Sequence, residues 1–325
     1  MATIDTSTEY TILDLLKGHD PDGNIARIIN TLWTRGDLIK DMRWYEANDF
    51  TTHTFTQSLT EPAGSFGVIN VGVPYAAAKT KQVKEELAML ETYSRIDERL
   101  LRRTRDPEQF RSQRNTMVIS GMTKTFNSTV LYASAAVDPE KINGFLPRFP
   151  TLASLALGPS GKSAGGAAAG AVSSIYVIKH GEDGVFAVYP RGGRNAIFEE
   201  DLGRQLVQDT ATTAFTAVIS HFGINFGLCI ADPRCFQRIC NIMPTGAANI
   251  FNEDDLIEVL ENMPDTNGAG IYVPKAVKVQ MNIAFKNRNP NFGTGTDGWG
   301  KPVMTFQDVP VRRLDQILIT EAVVA

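Results

Sequence analysis

The sequence predicts an α+β fold. Helix patterns and strand patterns fall in separate stretches instead of alternating as they do in a doubly wound parallel sheet. One long helical run, from Asp106 to about Ala133, precedes a strand-rich block that starts near Val172. Two shorter helical patterns and a terminal pair of strands follow that block.

The first forty residues read as a helical tail. Asp20-Pro21 supplies a cap and a first turn. Ile25, Ile28, Ile29, Leu32 and Trp33 then follow at the spacing of one helix face. That face must meet either this chain's core or a neighbour. Residues 50–59, "FTTHTFTQSL", alternate with threonine and predict a strand. The stretch "TEPAGSFG" brings the turn residues Pro62, Gly64 and Gly67, and "VINVGVPYAAA" predicts the return arm of a long hairpin. Its first arm has only Phe50, Phe55 and Leu59 as large apolar groups, so the ribbon needs another surface to lie on. Residues 80–101 fit two periods. Val83, Leu87 and Leu90 suit a helix, whereas Val83, Leu87, Met89 and Tyr93 suit one face of a strand.

Asp106-Pro107-Glu108-Gln109 opens the long helix as a capping box with proline at the first helical position. Phe110, Met117, Met122, Phe126 and Val130 or Leu131 fall roughly on one side of it. About 25 residues at 1.5 Å each give ~37 Å. Beyond residue 172, "VSSIYVIKHG" and "GVFAVYP" predict strands around a turn at Glu182-Asp183-Gly184. "AFTAVISHFG", "INFGLCIAD" and "CFQRICNI" predict three more. "NEDDLIEVLENM" has acids in its first turn and reads as a helix. "PKAVKVQMNIAFKNR" is a second helix from Pro274, and "KPVMTFQDVPVRRLDQILI" gives two strands around a short turn.

Composition narrows the function. The 325 residues suffice for two domains or one large elongated one, and 43% are hydrophobic. A net charge of −4 lacks the basic excess of a dedicated nucleic-acid binder. Cys229, Cys235 and Cys240 form neither an even framework nor a C-x-x-C pair, and four histidines complete a set that argues against zinc. They read as reduced, buried thiols of a cytoplasmically made protein. No signal peptide and no apolar run of about 18 residues is present, so no membrane partner is expected.

Three fragments imitate nucleotide sites. "ALGPSGKS", Ala156 to Ser163, fits a loose phosphate-loop signature with Lys162 as its lysine. Such a loop needs a buried strand before it and a helix after it. Here Pro147 and Pro150 precede it, and Gly165, Gly166 and Gly170 follow, so it reads as a surface loop. "GLCIAD", ending at Asp232, is any buried strand that runs into an Asp-Pro turn. "GTGTDG", Gly293 to Gly298, follows a helix instead of opening one and also reads as a loop. His19, His53, His180 and His221 are scattered, and no H-E-x-x-H or G-x-S-x-G occurs. No catalytic, cofactor-binding or metal-binding residue is therefore assigned. The strongest charge feature is Arg99, Arg102, Arg103, Arg105, Arg111 and Arg114. They suit a solvated face paired with Asp97, Glu98, Asp106 and Glu108. The alternative, carried by Arg99, Arg102, Arg103 and Arg105, is contact with DNA phosphates or a neighbouring subunit.

The order of elements, with "RIDERLL", "SSIYVIKHGEDGVFAVYPRG", "DLGRQLVQD", "LCIADPRCFQRICNI" and "VMTFQDVPVRRLDQIL", resembles the major capsid proteins of tailed bacteriophages, most of all those of short-tailed phages. That resemblance implies the Hong Kong-phage-type capsid fold. An N-terminal arm would occupy 1–44, and an extended hairpin called the E-loop, with its return strand, 45–93. The P-domain, with the long spine helix, would take 94–140 and 272–325, and the A-domain 141–271. It tilts the ambiguous stretch at 80–93 toward strand. It implies a non-enzymatic shell subunit without cofactors, partnered by its own copies as hexamers and pentamers. A portal protein, a cement protein and nonspecifically packaged double-stranded DNA are further expected partners, in a virion assembled in the host cytoplasm. Phe55, Leu59 and Phe66 are the expected hairpin contacts. The arm begins almost at Met1, which suggests a separate scaffolding protein. No lysine lies between Lys40 and Lys79, which argues against covalent cross-linking through the hairpin. An encapsulin-type compartment shell shares this fold, and a P-loop NTPase using Lys162 and Asp232 is the rival of another class.

Overall fold

The computed structural model describes residues 38–150, 162–163, 172–192, 197–210, 213–246, 249–286, 292–296 and 302–324. The helix expected over 20–33 lies outside them. In chain order the first elements are α1 (Leu38–Asp41), β1 (Trp44–Glu46), β2 (Thr52–Thr60), β3 (Lys79–Glu86), β4 (Ala88–Asp97), α2 (Glu98–Leu101), α3 (Pro107–Tyr132) and α4 (Phe145–Arg148). Then come β5 (Lys162–Ser163), β6 (Ser173–Lys179), β7 (Val185–Tyr189), β8 (Ile197–Thr210), β9 (Thr213–Ile230) and β10 (Phe236–Ile242). The chain closes with α5 (Glu253–Glu261), β11 (Ala269–Val273), α6 (Lys275–Lys286), β12 (Phe292–Thr296), β13 (Pro302–Phe306) and β14 (Val309–Arg313). Two compact units result, one from Met89–Asn127 with Arg194–Asn225, the other from Arg35–Ala88, Ser128–Gly193 and Phe226–Ala325.

The larger unit is built on a seven-stranded mixed sheet in the order β12-β13-β14-β11-β6-β10-β5. Every residue of β10 and β11 is buried, as is β6 up to Ile178. Continuous burial means that both faces are covered. On one face Ile175, Val177, Ile239 and Ile271 meet Leu256 and Val259 of α5 and Val277 and Met281 of α6. On the other, Phe236 stacks on Phe145 of α4 at 4.5 Å and on Phe149 at 5.0 Å. The boundary expected at 271/272 falls inside β11, and strands on both sides of it share this sheet and core.

The chain's last residues are fastened to this sheet. Asn241 sits at a bulge in β10 with φ +60°, a conformation asparagine tolerates better than most residues. Its side chain donates to the Val324 carbonyl at 2.8 Å and accepts from the Val324 amide at 2.9 Å. Nearby, Arg238 and Glu321 form an ion pair at 2.9 Å with side chains 1% and 2% exposed. Glu321 also accepts from Tyr132 at 2.6 Å, from Tyr176 at 3.2 Å and from Ser174. Four donors thus converge on one carboxylate, about as many as its lone pairs accommodate. Burial and the charge of Glu321 push both phenols well above the ordinary tyrosine range.

A second polar chain fixes the first described turn. Arg312 Nε lies 2.8 Å from Asp41, Tyr272 donates to Asp41 at 2.7 Å, and His180 Nε2 is 2.7 Å from the Tyr272 oxygen. Since the tyrosine proton goes to Asp41, His180 must be the donor to the phenol oxygen. Its Nδ1 is buried without a partner.

The smaller unit is a ribbon beside a helix. β8 and β9 pair antiparallel from Ile197↔Ile224 to Thr210↔Thr213, and β4 also pairs with β9. Ile96, Leu100, Leu101 and Phe110 form its small apolar cluster. Its part of α3 buries Phe110, Met122 and Phe126, while Met117 is 40% exposed.

Several elements differ from expectation. β9 is one strand where two were expected. At Gly223 the ring of Phe198 fills the space that a Cβ would need, so the glycine serves close packing and not a break. The segment 292–296 of the "GTGTDG" region pairs with β13 instead of forming a loop. β8 and β11 were not foreseen. The return arm of the hairpin is β3, and "VINVGVPYAAA" belongs to the connection before it.

Replacing Glu321 with alanine leaves Arg238 charged, buried and unpaired. The unassembled subunit is expected to lose ~3–5 kcal/mol in urea unfolding. The double replacement Arg238→Met with Glu321→Leu should cost much less.

Burial, reinforced by Arg312 and Arg43, holds the pKa of His180 down at about 4. The unfolded chain therefore takes up this proton first as pH falls. Stability is complete above about pH 6.5 and declines toward pH 4, by at most ~3 kcal/mol. Thermal unfolding at pH 7 and pH 4.5 should show a larger drop for wild type than for His180→Gln.

Candidate assembly surface

The hairpin is anchored at its base and unsupported at its end. β2 and β3 pair in the register Phe55↔Val83, with a bulge between Ser58 and Thr60. Asn48 clasps the backbone of Thr54 through two bonds of 2.6 and 2.9 Å. His53 and Phe55 meet the ring of Phe186 at 5.9 and 6.4 Å. Gln57 donates to the carbonyls of Ile230 and Ala231 at 3.2 and 2.7 Å. From the other strand, Glu85 takes a two-pronged bond from Arg148 at 2.6 and 2.8 Å. Such a fork fixes orientation as well as distance.

Past Ser58 the support ends. Leu59 is 61% exposed, Ile69 88%, Phe66 104% and Tyr75 106%. Val68, Val71 and Val73 are exposed too, on a connection with no regular strand. Of the three residues expected to press on a neighbour, Leu59 and Phe66 face solvent. Phe55 rests half-buried against its own chain's Phe186.

The arginine run lies in the smaller unit and is largely paired. Arg99 meets Asp97 at 3.3 Å, and Arg102 meets Glu98 at 2.9 Å. Glu98 also takes Arg204 of β8 at 3.0 Å. Arg111 reaches Asp201 at 2.8 Å and Ser220 at 2.7 Å. Hydrogen bonding to Arg111 lowers the Asp201 pKa and raises that of the guanidinium. Asp97 and Glu98 are partners as expected. Asp106 instead caps α3 by accepting from Gln109 N at 3.2 Å. Asp201 and Arg204 were missed because they lie far along the chain, Asp201 90 residues from Arg111 and Arg204 farther still from Glu98. Arg103 and Arg105 are exposed.

Of the phosphate-loop imitation, Lys162 and Ser163 form β5 and pair parallel with Ile239 and Cys240. Strand backbone cannot present the amides of a helix start to a phosphate. Among the described residues no group of three or more His, Cys, Asp or Glu is placed to hold a metal. None of the described helices is long and apolar enough to cross a membrane.

The family model for major capsid protein GP7 matches residues 20–325. The chain belongs to this family. It is a major capsid protein, a self-assembling subunit of a phage shell and part of the virion capsid. Its fold matches the structure of bacteriophage Epsilon15 with a TM-score of 0.70 and 24% identity, over 100% of this chain and 99% of that one. The capsid of bacteriophage JBD30 is similar over 88% of this chain and 93% of its own at 8% identity, with a TM-score of 0.49. An encapsulin from Synechococcus elongatus PCC 7942 reaches 0.41 at 10% identity, over 78% of this chain and 100% of that one. The last two similarities are too loose to bear on function. No curated protein matches the chain.

Calorimetric titration of this capsid protein with magnesium and ATP should show no binding. Micromolar affinity lost in Lys162→Ala would overturn that expectation.

Proposed function

We infer that the distal hairpin, residues 59–78, joins neighbouring subunits in an icosahedral shell of hexamers and pentamers around double-stranded DNA. One observation carries this reading. Phe66 and Tyr75 stand fully exposed on a segment that has no core of its own. Exposed apolar groups of this number mark an interaction site in a soluble chain. The firmly held base, from Asn48 to the Arg148–Glu85 fork, supports the role by aiming the ribbon. Leu59 and Phe66 are the proposed contacts, joined by Ile69 and Tyr75. Phe55 contributes mainly to the base.

The protein acts as a non-enzymatic shell component. Its net charge of −4 suits a container that holds DNA nonspecifically. Arg99, Arg102, Arg103 and Arg105, all exposed, are proposed as the members of the run that meet phosphates or a neighbour. A scaffolding protein, a portal and a cement protein are proposed as partners from the family resemblance. We read α3 as the spine helix of the P-domain and β2–β3 as the E-loop.

Phe66→Ala with Tyr75→Ala should leave the melting temperature of the free subunit unchanged while shells fail to form in sedimentation. Phe55→Ala should instead lower that temperature. Wild-type assembly by the double variant would remove the distal hairpin as a main contact.

The stretch from Asp41 to Ala78 contains no lysine. Mature particles boiled in detergent and reductant should therefore run as one band near 35.6 kDa. A ladder of linked oligomers is the contrary result.

A further inference from the structure

The smaller unit carries opposite charge at two places along β8. At the first, Glu98 holds two arginines at once, Arg102 at 2.9 Å and Arg204 at 3.0 Å. The Glu98 side chain is 11% exposed, whereas both arginine side chains are 71% exposed. One sheltered carboxylate thus aims two cations outward and leaves most of their donors for other partners. Arg99, Arg103 and Arg105, on and just after α2, are exposed as well.

At the second place Glu199, Glu200 and Asp201 are three successive exposed carboxylates. Asp201 is neutralised by Arg111, and Glu199 accepts from Asn115 at 3.3 Å. Glu200 pairs across the ladder with His221, which lies 3.4 Å from Glu91 of β4. Glu91, Glu199 and Glu200 therefore gather on one part of the ladder. From Glu200 to Arg204 the strand advances roughly 13 Å. That exceeds the Debye length of about 8 Å at physiological salt, so the two patches do not neutralise each other within one chain.

Two partners could take the arginines, DNA or protein. Between Asp97 and Glu108 four carboxylates are interleaved with four arginines. A polyanion would be repelled by every one of those acids, whereas a protein surface can offer both signs. The second patch supplies the missing negative charge, and every neighbouring copy in a shell brings it. A contact between two different patches of like subunits is head-to-tail, the kind that closes into rings.

We propose that Arg99, Arg102, Arg103, Arg105 and Arg204 of one subunit dock against Glu91, Glu199 and Glu200 of a second copy in the shell. The proposal rests on the shell reading and assigns the arginine run to a neighbour instead of to DNA.

The test compares wild type with three full-length variants. Arg103→Glu with Arg105→Glu reverses the first patch, Glu199→Lys with Glu200→Lys reverses the second, and a third chain carries all four changes. Melting of free subunits reports the fold, and sedimentation with electron microscopy reports shells. Each double reversal brings like charges together, so shell yield should fall about tenfold or more. The fourfold variant has the signs exchanged and should recover most of the wild-type yield. Wild-type assembly by either double reversal would overturn the proposal, as would a fourfold variant that fails like the doubles. An arginine reversal that forms normal shells but retains less double-stranded DNA would assign the run to DNA, with the same consequence. Should a reversal lower the melting temperature, the neutral pairs Arg103→Gln with Arg105→Gln and Glu199→Gln with Glu200→Gln take its place. Each neutral pair should slow assembly, and all four changes together should slow it no more than the stronger pair alone. Additive losses would refute a shared contact. If wild-type chains form no shells at all, the shell reading itself fails, and that outcome is seen before any variant is compared.

Discussion

The carboxylate of Glu321 is the point on which the larger unit closes. A buried charge is tolerated only with excellent geometry and full hydrogen bonding, and here one arginine and three hydroxyl groups provide both. Those partners come from α3, β6 and β10, which lie far apart in sequence. The pair therefore acts less as a source of net stability than as a specification of where the chain's end belongs. The isolated bridge Val172↔Glu321 and the Asn241 clasp on Val324 place the last residues on the sheet from either side of that carboxylate. Hydrophobic packing alone would not choose among neighbouring registers for this short segment. An uncompensated guanidinium in the wrong register would.

The helix α3 was legible from its ends, because capping chemistry is local: Asp106 and Pro107 state where it begins. The strands β6, β7 and β10 were legible because most of their residues, buried on both faces, are apolar, although Ser174, Arg238 and Asn241 are buried polar groups that hold the chain's end. β8 was not, since Glu199 and Asp201 meet Asn115 and Arg111 of α3 and Arg204 meets Glu98, so its charges mask the alternation. β11 is five residues flanked by turns, too short to show a period. The hairpin's return arm was misplaced for a more instructive reason. "VINVGV" has the composition of a paired strand, but it is apolar without being paired in the chain. The lysine-rich "KTKQVKEE" forms the ladder with β2 instead. Apolar content reports what will be covered, and in an assembling protein the cover need not come from the same chain.

The same distinction governs what could be read of the assembly surface. Leu59 and Phe66 were recognisable as apolar groups with nothing local to meet, and both are exposed. Phe55 has the same local sequence setting. It is half-buried because Phe186, more than a hundred residues on, comes to meet it. The arginine run shows the reverse case. Its charges were plain in the sequence, yet Asp201 and Arg204 are brought to it by the pairing of β8 with β9. Residue type could be read locally, while partnership depended on topology.

A two-stranded ribbon with open edges and an apolar tip is a hazard before assembly, since unpaired strand edges recruit other chains indiscriminately. The placement of charge answers this. Lys79, Lys81, Lys84 and Glu86 are exposed along β3, beside the apolar connection. Each lysine would have to be desolvated if a foreign strand added to that edge, and copies of the same edge would bring like charges together. Capture along the ribbon is thereby disfavoured while the tip stays open. The charge of β3 thus has a physical use in the unassembled chain, because it disfavours strand addition along the ribbon.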